Sequence, residues 1–390
     1  MYGPLITRRT ALGRLAAAVP AAALARTGWA DAPPAGPPPP ALVDPARGPG
    51  GGWTIAVIPD TQNYAKYAKN QAHFARMTRW LAEHLETWNI RAVLHEGDFV
   101  EQNDIAEGGG QGGGDQPSEQ QWEACRRALQ TLSGRVPTIF VTGNHDHGIR
   151  RAEDRRSRLP QYFGLTHNPL TCDGRGGGIR IEGPPNAFGQ ETLENGAYEL
   201  KGPDGRALLI LALEWGPRKA VVDWARAVAA RPAYAKHTGL LLVHDYLNDN
   251  NQRSGWDGNH RVSGNPHTYG TGAEGDTHDG QDLWQALVRD APQIELVQNG
   301  HVMGRHVGYR SDLSTAGRTV HQMLFNAQGL GGGSFEQGNG GDGWLRLLTF
   351  EPDGRTLAVR TFSPLKLDAG QSPWWDHPAW RFAVALSPRD

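Results

Sequence analysis

Five times along this chain an apolar, β-favouring run ends in a carboxylate, a histidine or an amide, and that recurrence limits the folds open to it. The runs are Ile55-Ala56-Val57-Ile58-Pro59-Asp60, Ala92-Val93-Leu94-His95-Glu96-Gly97-Asp98, Ile139-Phe140-Val141-Thr142-Gly143-Asn144-His145-Asp146, Leu240-Leu241-Leu242-Val243-His244 and Ile294-Glu295-Leu296-Val297-Gln298-Asn299-Gly300-His301. Apolar runs bounded by turn residues predict buried strands. In open α/β sheets ligands sit just beyond the carboxyl ends of the strands, so the five polar termini are expected to meet there. Asp60, Asp98, Asn144, His244 and His301 offer hard oxygen and borderline nitrogen donors. Such a set suits Zn, Mn or Fe and is a poor match for a soft metal. His145 adds a group that titrates near neutrality.

The segments between these runs fix the fold class. Phe74, Met77, Leu81, Leu85 and Trp88 recur at steps of three and four, which predicts an amphipathic helix over Asn70 to Trp88. A second helix is expected over about Ser118 to Leu132, with Ser118 as its N-cap. Strand and helix therefore alternate through the first part, which predicts a largely parallel layer with helices outside. Further on, strands are expected at 198–200, 206–214 and 239–243, with a helix near 218–230. From Gln293 strands dominate, at 295–298, 305–309, 319–326, 344–350 and 356–362, the last two joined by the turn Pro352-Asp353-Gly354. The order fits an α/β fold with a two-sheet core and helices on both outer faces.

Four long loops interrupt it, at 106–116, 167–185, 248–280 and 327–343. Loops of that length commonly carry function, and two of them directly follow the runs ending in Asp98 and His244, where they would wall a substrate pocket. Trp374, Trp375 and Trp380 form a cluster near the C-terminus for which core or edge packing is the expected role.

Composition narrows the setting. Thr7-Arg8-Arg9-Thr10-Ala11-Leu12 opens a twin-Arg pattern, followed by a weakly apolar stretch and a cut site after Ala30. The chain is thus read as an export signal at 1–30, a Pro/Gly-rich linker at 31–52 and a folded domain with long active-site loops at 53–390, located in the periplasm or secreted. The apolar stretch is too short to span a bilayer. Setting aside 1–30, which holds four of the 39 basic residues and none of the 41 acidic ones, leaves a mildly acidic chain with no footprint for nucleic acid. Cys125 and Cys172 are expected to be unpaired, one buried and one free.

The elements Asp60-Thr61-Gln62, Gly97-Asp98, Gly143-Asn144-His145-Asp146, a lone His244 and Gly300-His301 stand in the order of a known signature. From Trp53 to Phe362 the sequence resembles the calcineurin-like metallophosphoesterases, in an exported bacterial form. The resemblance implies a four-layer αββα sandwich of two mixed β-sheets flanked by helices. It also implies two divalent metal ions (Zn, Mn or Fe) that share a bridging aspartate. Carried over, Asp98 bridges, Asp60 and Gln62 serve the first ion, and Asn144, His244 and His301 complete the second. His145 is then no ligand; it steadies the transition state and protonates the leaving oxygen. The implied activity is hydrolysis of a small phosphomonoester or phosphodiester by in-line attack of metal-activated hydroxide.

Two residues depart from the signature: Gln62 and Met303 stand where the family has histidines. Glutamine can ligate through its amide oxygen, but a thioether is a poor donor to a hard cation. The first site is therefore expected to be weak, with His306 as a possible substitute ligand. The departures leave open a second reading, a degenerate and non-catalytic protein that binds one metal and a phosphorylated or sugar ligand. A third, carbohydrate binding by the tryptophans, predicts no dependence on metal.

Overall fold

The structure is a computed structural model that describes residues 48–108, 112–258 and 264–388. The expected export signal and the linker as far as residue 47 lie outside the described residues, as do short parts of the 106–116 and 248–280 loops. Among the described residues thirteen strands form two sheets: β1 Trp53–Ile58, β2 Ile90–His95, β3 Thr138–Phe140, β4 Arg180–Glu182, β5 Gly196–Lys201, β6 Ala207–Ala212, β7 Thr238–Leu242, β8 Ile294–Asn299, β9 Val307–Leu313, β10 Thr319–Phe325, β11 Leu345–Phe350, β12 Thr356–Phe362 and β13 Phe382–Ala385. The first sheet runs β13-β12-β11-β1-β2-β3 and the second β4-β5-β6-β7-β8-β10-β9. Both are mixed. β1, β2 and β3 are parallel, as are β6, β7, β8 and β10, while the remaining neighbours pair antiparallel.

Side-chain alternation along β1 shows how the layers are stacked. Ile55 and Val57 join a buried cluster with Leu94, Ile210, Leu240 and Leu296, which is the seam between the sheets. Ala56 and Ile58 point the other way, into a cluster with Phe74, Met77 and Trp122 from the helices α1 (Ala68–Glu83) and α2 (Ser118–Gln130). Successive residues of a strand face opposite sides, so one short run serves two cores. On the far side Leu209, Leu211, Leu241 and Val297 pack against Val221, Val222 and Ala225 of α3 (Lys219–Ala229). The result is the expected αββα order.

Several boundaries move, each for a local reason. α1 stops at Glu83 rather than Trp88, because the chain must reverse into β2, and Asn89 makes that turn at φ 46°. Asparagine is among the few residues that accept the left-handed region readily. Ser118 is the first helical residue, not the cap, which is Pro117. Its hydroxyl instead donates to the Gln102 carbonyl and accepts from the Ile105 N–H, both at 2.7 Å, tying down the loop after Asp98. The 167–185 loop contains β4, an edge strand of three residues amid glycines. Residues 302–306 form a turn, and the strand expected from Arg305 begins at Val307. The Pro352-Asp353-Gly354 hairpin forms as expected between β11 and β12, with Asp353 Oδ1 accepting from the N–H groups of Arg355 and Thr356.

Both cysteines are unpaired, and both are buried, Cys172 included. Trp380 is fully buried, with Trp375 stacked on it at 3.9 Å and Trp374 against Phe362 at 4.8 Å, so this cluster packs as expected. Among the described residues no helix is long and apolar enough to cross a membrane.

One buried acid gives a stability test. Burial pushes Glu194, which precedes β5, up to about 7 despite the hydrogen bond it accepts from Asn186. The folded chain therefore holds a proton that the unfolded chain releases near 4.5, and the stability tied to that proton is lost as pH rises from 4.5 to about 7. Glu194→Gln is expected to raise the stability at pH 8 by on the order of a few kcal/mol and to change little at pH 4. Thermal melts at both pH values read this; equal shifts at both would refute it.

Candidate metal centre

The residues that end the five runs lie at the carboxyl ends of β1, β2, β3, β7 and β8, the first three from one sheet and the last two from the other. One ligand atom each of Asp98, His244 and His301 lies within 4.8 Å of the others, and all three residues are largely buried. Asp98 is placed by a backbone held in the left-handed region, with φ 51° following Gly97 at 93°. Such strain persists only where surrounding contacts over-determine it. Here the Asp98 carbonyl accepts from the Thr61 N–H at 3.0 Å and its Oδ1 from the His145 N–H at 2.9 Å. Gly143 must be glycine, since a Cβ there would stand 2.1 Å from Asp98 Oδ1.

Asp146 staples the two loops together. Its Oδ1 accepts from the N–H of Phe99 at 2.9 Å and its Oδ2 from that of Gly143 at 2.8 Å, so it acts on the ligands from behind. His95 is likewise structural: burial pulls it down to about 3, and it bonds Thr61 Oγ1 at 3.0 Å.

The two histidine ligands are oriented by carbonyls. His244 Nδ1 donates to the Glu96 carbonyl at 2.6 Å, which turns its Nε2 toward Asp98 Oδ2 at 3.3 Å. A lone pair facing a carboxylate at that distance requires a proton or a cation between them. Burial alone would lower His244, yet the charges of Asp98 and Asp60 push it up to about 10. His301 Nε2 bonds the Gly264 carbonyl at 2.7 Å, leaving Nδ1 as the other donor. Burial first, then the charge of His244, pulls His301 down to about 3, so it is neutral at physiological pH, as a ligand must be.

The remaining expected ligands present unmet lone pairs. Asn144 Oδ1 and Gln62 Oε1 are both buried without a hydrogen-bond partner. Buried polar atoms are nearly always satisfied, so two such oxygens beside a buried carboxylate and two histidines indicate a cation site. Asn144 Nδ2 reaches the Tyr269 hydroxyl at 3.4 Å, and Gln62 Nε2 donates to Asp98 Oδ2 at 2.9 Å. The donor set of Asp98, Asn144, His244 and His301 fits one divalent ion of the Zn, Mn or Fe type.

Asp60, His306 and Met303 are placed differently. Asp60 is outside the convergent set, its carboxylate hydrogen-bonded by Asn326 and Gln328. His306 is also outside it, with Nδ1 at 3.0 Å from the Asn326 carbonyl and its ring near Trp380. Met303 is 44% exposed at the rim of a cleft of about 570 Å³, which Asp98, Asn144, His145 and His301 line. Gly112, Gly264, Tyr269 and Phe335 extend the walls, so three of the four long loops contribute.

Asn326 and Gln328 escaped the sequence reading, although Met323-Leu324-Phe325-Asn326-Ala327-Gln328 repeats the pattern of a strand ending in polar groups. A second convergent group, His267, Asp279 and Asp282, is accounted for by helix capping. Asp279 caps the helix at Gly280 while His267 pairs with Asp282 at 2.9 Å.

The model of the calcineurin-like phosphoesterases matches residues 54–305, well over half the chain. This chain belongs to the calcineurin-like phosphoesterases. A curated relative, the uncharacterized protein YvnB of Bacillus subtilis (strain 168), is 26% identical over 326 residues, which is 81% of this chain. The match covers 20% of that relative, so the chain spans about a fifth of its length. Similar solved structures include a dimetal phosphatase from Danio rerio, 12% identical with a TM-score of 0.46, over 86% of this chain and 99% of that one. Another is GAP50, the anchor in the inner membrane complex of Plasmodium, 9% identical with a TM-score of 0.42, over 87% of this phosphoesterase and 89% of that chain.

Asp98→Asn tests the phosphoesterase centre, because it removes the charge around which the donors converge. The variant is expected to lose both bound metal and hydrolysis, read by elemental analysis and ester turnover. Unchanged metal content with full activity would remove Asp98 from the centre.

Proposed function

We propose that this phosphoesterase hydrolyses a small phosphomonoester or phosphodiester after export, with His145 as the acid that protonates the leaving oxygen. The observation that carries the reading is the convergence of unmet lone pairs on a buried carboxylate beside a histidine that no ligand role consumes. Asp98, Asn144, His244 and His301 would hold a divalent ion, which would supply charge neutralisation for phosphoryl oxygens and acidify water.

The side chains do the rest. His145 Nδ1 donates to the Glu101 carbonyl at 2.7 Å, which fixes the ring and leaves Nε2 for the cleft. Burial alone would lower its pKa, but the facing charges of Asp98 and Glu101 raise it above the ordinary histidine value. Carboxylates that favour its protonated form suit it to the role of an acid. Arg151 lines the same cleft as a cation for phosphoryl oxygens. Met303 and Phe335, 44% and 72% exposed, give the rim an apolar surface for the organic part of the ester.

His145→Ala is expected to slow turnover by on the order of 10²–10⁴-fold while metal content stays at the wild-type level. Esters with strongly acidic leaving groups should lose least, since their departure needs no proton. Equal loss across a leaving-group series, together with loss of metal, would make His145 a ligand instead.

Export rests on the twin-Arg pattern at 7–12 and the Ala30 cut site, which support delivery to the periplasm or the outside. Exported protein is expected to begin near Asp31. N-terminal sequencing checks this, and retention of Met1 in exported material would overturn it.

A further inference from the structure

We infer that an amide clasp around Asp60 stands in place of the first metal ion that the family resemblance implies, so that this centre binds a single divalent ion. The inference rests on the metal-dependent reading above and concerns how many ions that reading needs.

Asp60 is fully buried, and its carboxylate is already occupied. Oδ2 accepts from Asn326 Nδ2 at 2.8 Å and from Gln328 Nε2 at 2.9 Å. The His301 N–H lies 3.2 Å from Oδ2 and 3.3 Å from Oδ1. On the Oδ1 side the backbone closes in, since a Cβ on Gly300 would stand 2.2 Å from that oxygen.

Whether the two amides could turn their oxygens inward instead is decided by their other contacts. Asn326 Oδ1 accepts from the Gln328 N–H at 3.1 Å, which fixes that amide with its nitrogen toward Asp60. Gln328 Oε1 accepts from Asn63 Nδ2 at 3.1 Å, and Asn63 Nδ2 is held there by the Gln328 carbonyl at 3.0 Å. Each orientation is thus anchored on a main-chain group that cannot flip. Two N–H donors aimed at one carboxylate oxygen take its lone pairs and direct positive hydrogens at any cation that approaches.

The other residues expected at that position offer no replacement. Met303 stands at the cleft rim and is a poor donor to a hard ion. His306 lies outside the convergent group, its ring near Trp380. Gln62 directs an N–H, not its oxygen, at Asp98 Oδ2, the oxygen nearest His244 Nε2. That leaves Gln62 Oε1 as one neutral oxygen, and a lone neutral donor does not hold a hard divalent ion that takes several oxygen or nitrogen ligands.

The test counts ions on the whole chain. Apo protein is titrated calorimetrically with Mn²⁺ or Zn²⁺ alone, and bound metal is counted by elemental analysis after gel filtration. Wild type is expected to bind one ion per chain, and Asp60→Asn to keep that ion. Asn326→Asp, or Gln328→Glu if the first variant fails to fold, replaces a donor by a carboxylate and is expected to create a second tight site. Two tight ions in wild type, with one released by Asp60→Asn, would overturn the clasp while leaving metal-dependent hydrolysis intact. No tight ion in wild type would overturn the clasp and the metal-dependent reading together.

Discussion

Asp98 is a charged carboxylate almost without solvent contact, set at the seam where two sheets meet, and the arrangement around it offsets the cost of keeping it ionised. Burial alone would drive its pKa up; the facing histidines hold it well below the usual carboxylate range. The N–H of His145, the amide of Gln62 and the ring of His244 all converge on its two oxygens. The left-handed turn at Gly97-Asp98, the glycine at 143 and the staple made by Asp146 follow from the need to bring those groups within reach. Removing water from a carboxylate is costly unless charge or hydrogen bonds replace it. This centre does so with groups that point inward from both sheets.

Much of this was legible in the order of residues, because strands covered on both faces leave long apolar runs and their polar ends stand out. Asp98, Asn144, His244 and His301 were each marked by a run that stopped at a group too polar to be buried without purpose. The helices were readable in periodicity, but their ends were not. α1 is cut short by the reversal at Asn89, and Ser118 is drawn from capping into the loop after Asp98, both effects of tertiary contacts. β4 was invisible because three residues among glycines carry no pattern, and only pairing with β5 defines them.

The role of Asp60 was the least readable part. Its partners Asn326 and Gln328 are neutral amides 266 and 268 positions away, and nothing local distinguishes a clasp from a turn. Met303 and Gln62 did signal a departure, since a thioether and an amide replace two imidazoles. The clasp that takes the vacated role depends on β10 lying parallel beside β8, a long-range pairing that no local pattern announces.

The first sheet holds β1 between β2 and β11, so both ends of the folded region meet in one layer, and Thr54 and Thr349 hydrogen-bond across 295 positions. A ribosome therefore releases β1 long before its antiparallel neighbour exists. During that interval the run from Trp53 to Ile58, buried along its whole length in the finished protein, has an open edge in an incomplete layer. Long-range pairing of this kind folds slowly and exposes sticky edges while it waits. Completion of the layer accordingly waits until β11 has been made, and until then that edge is open to wrong partners.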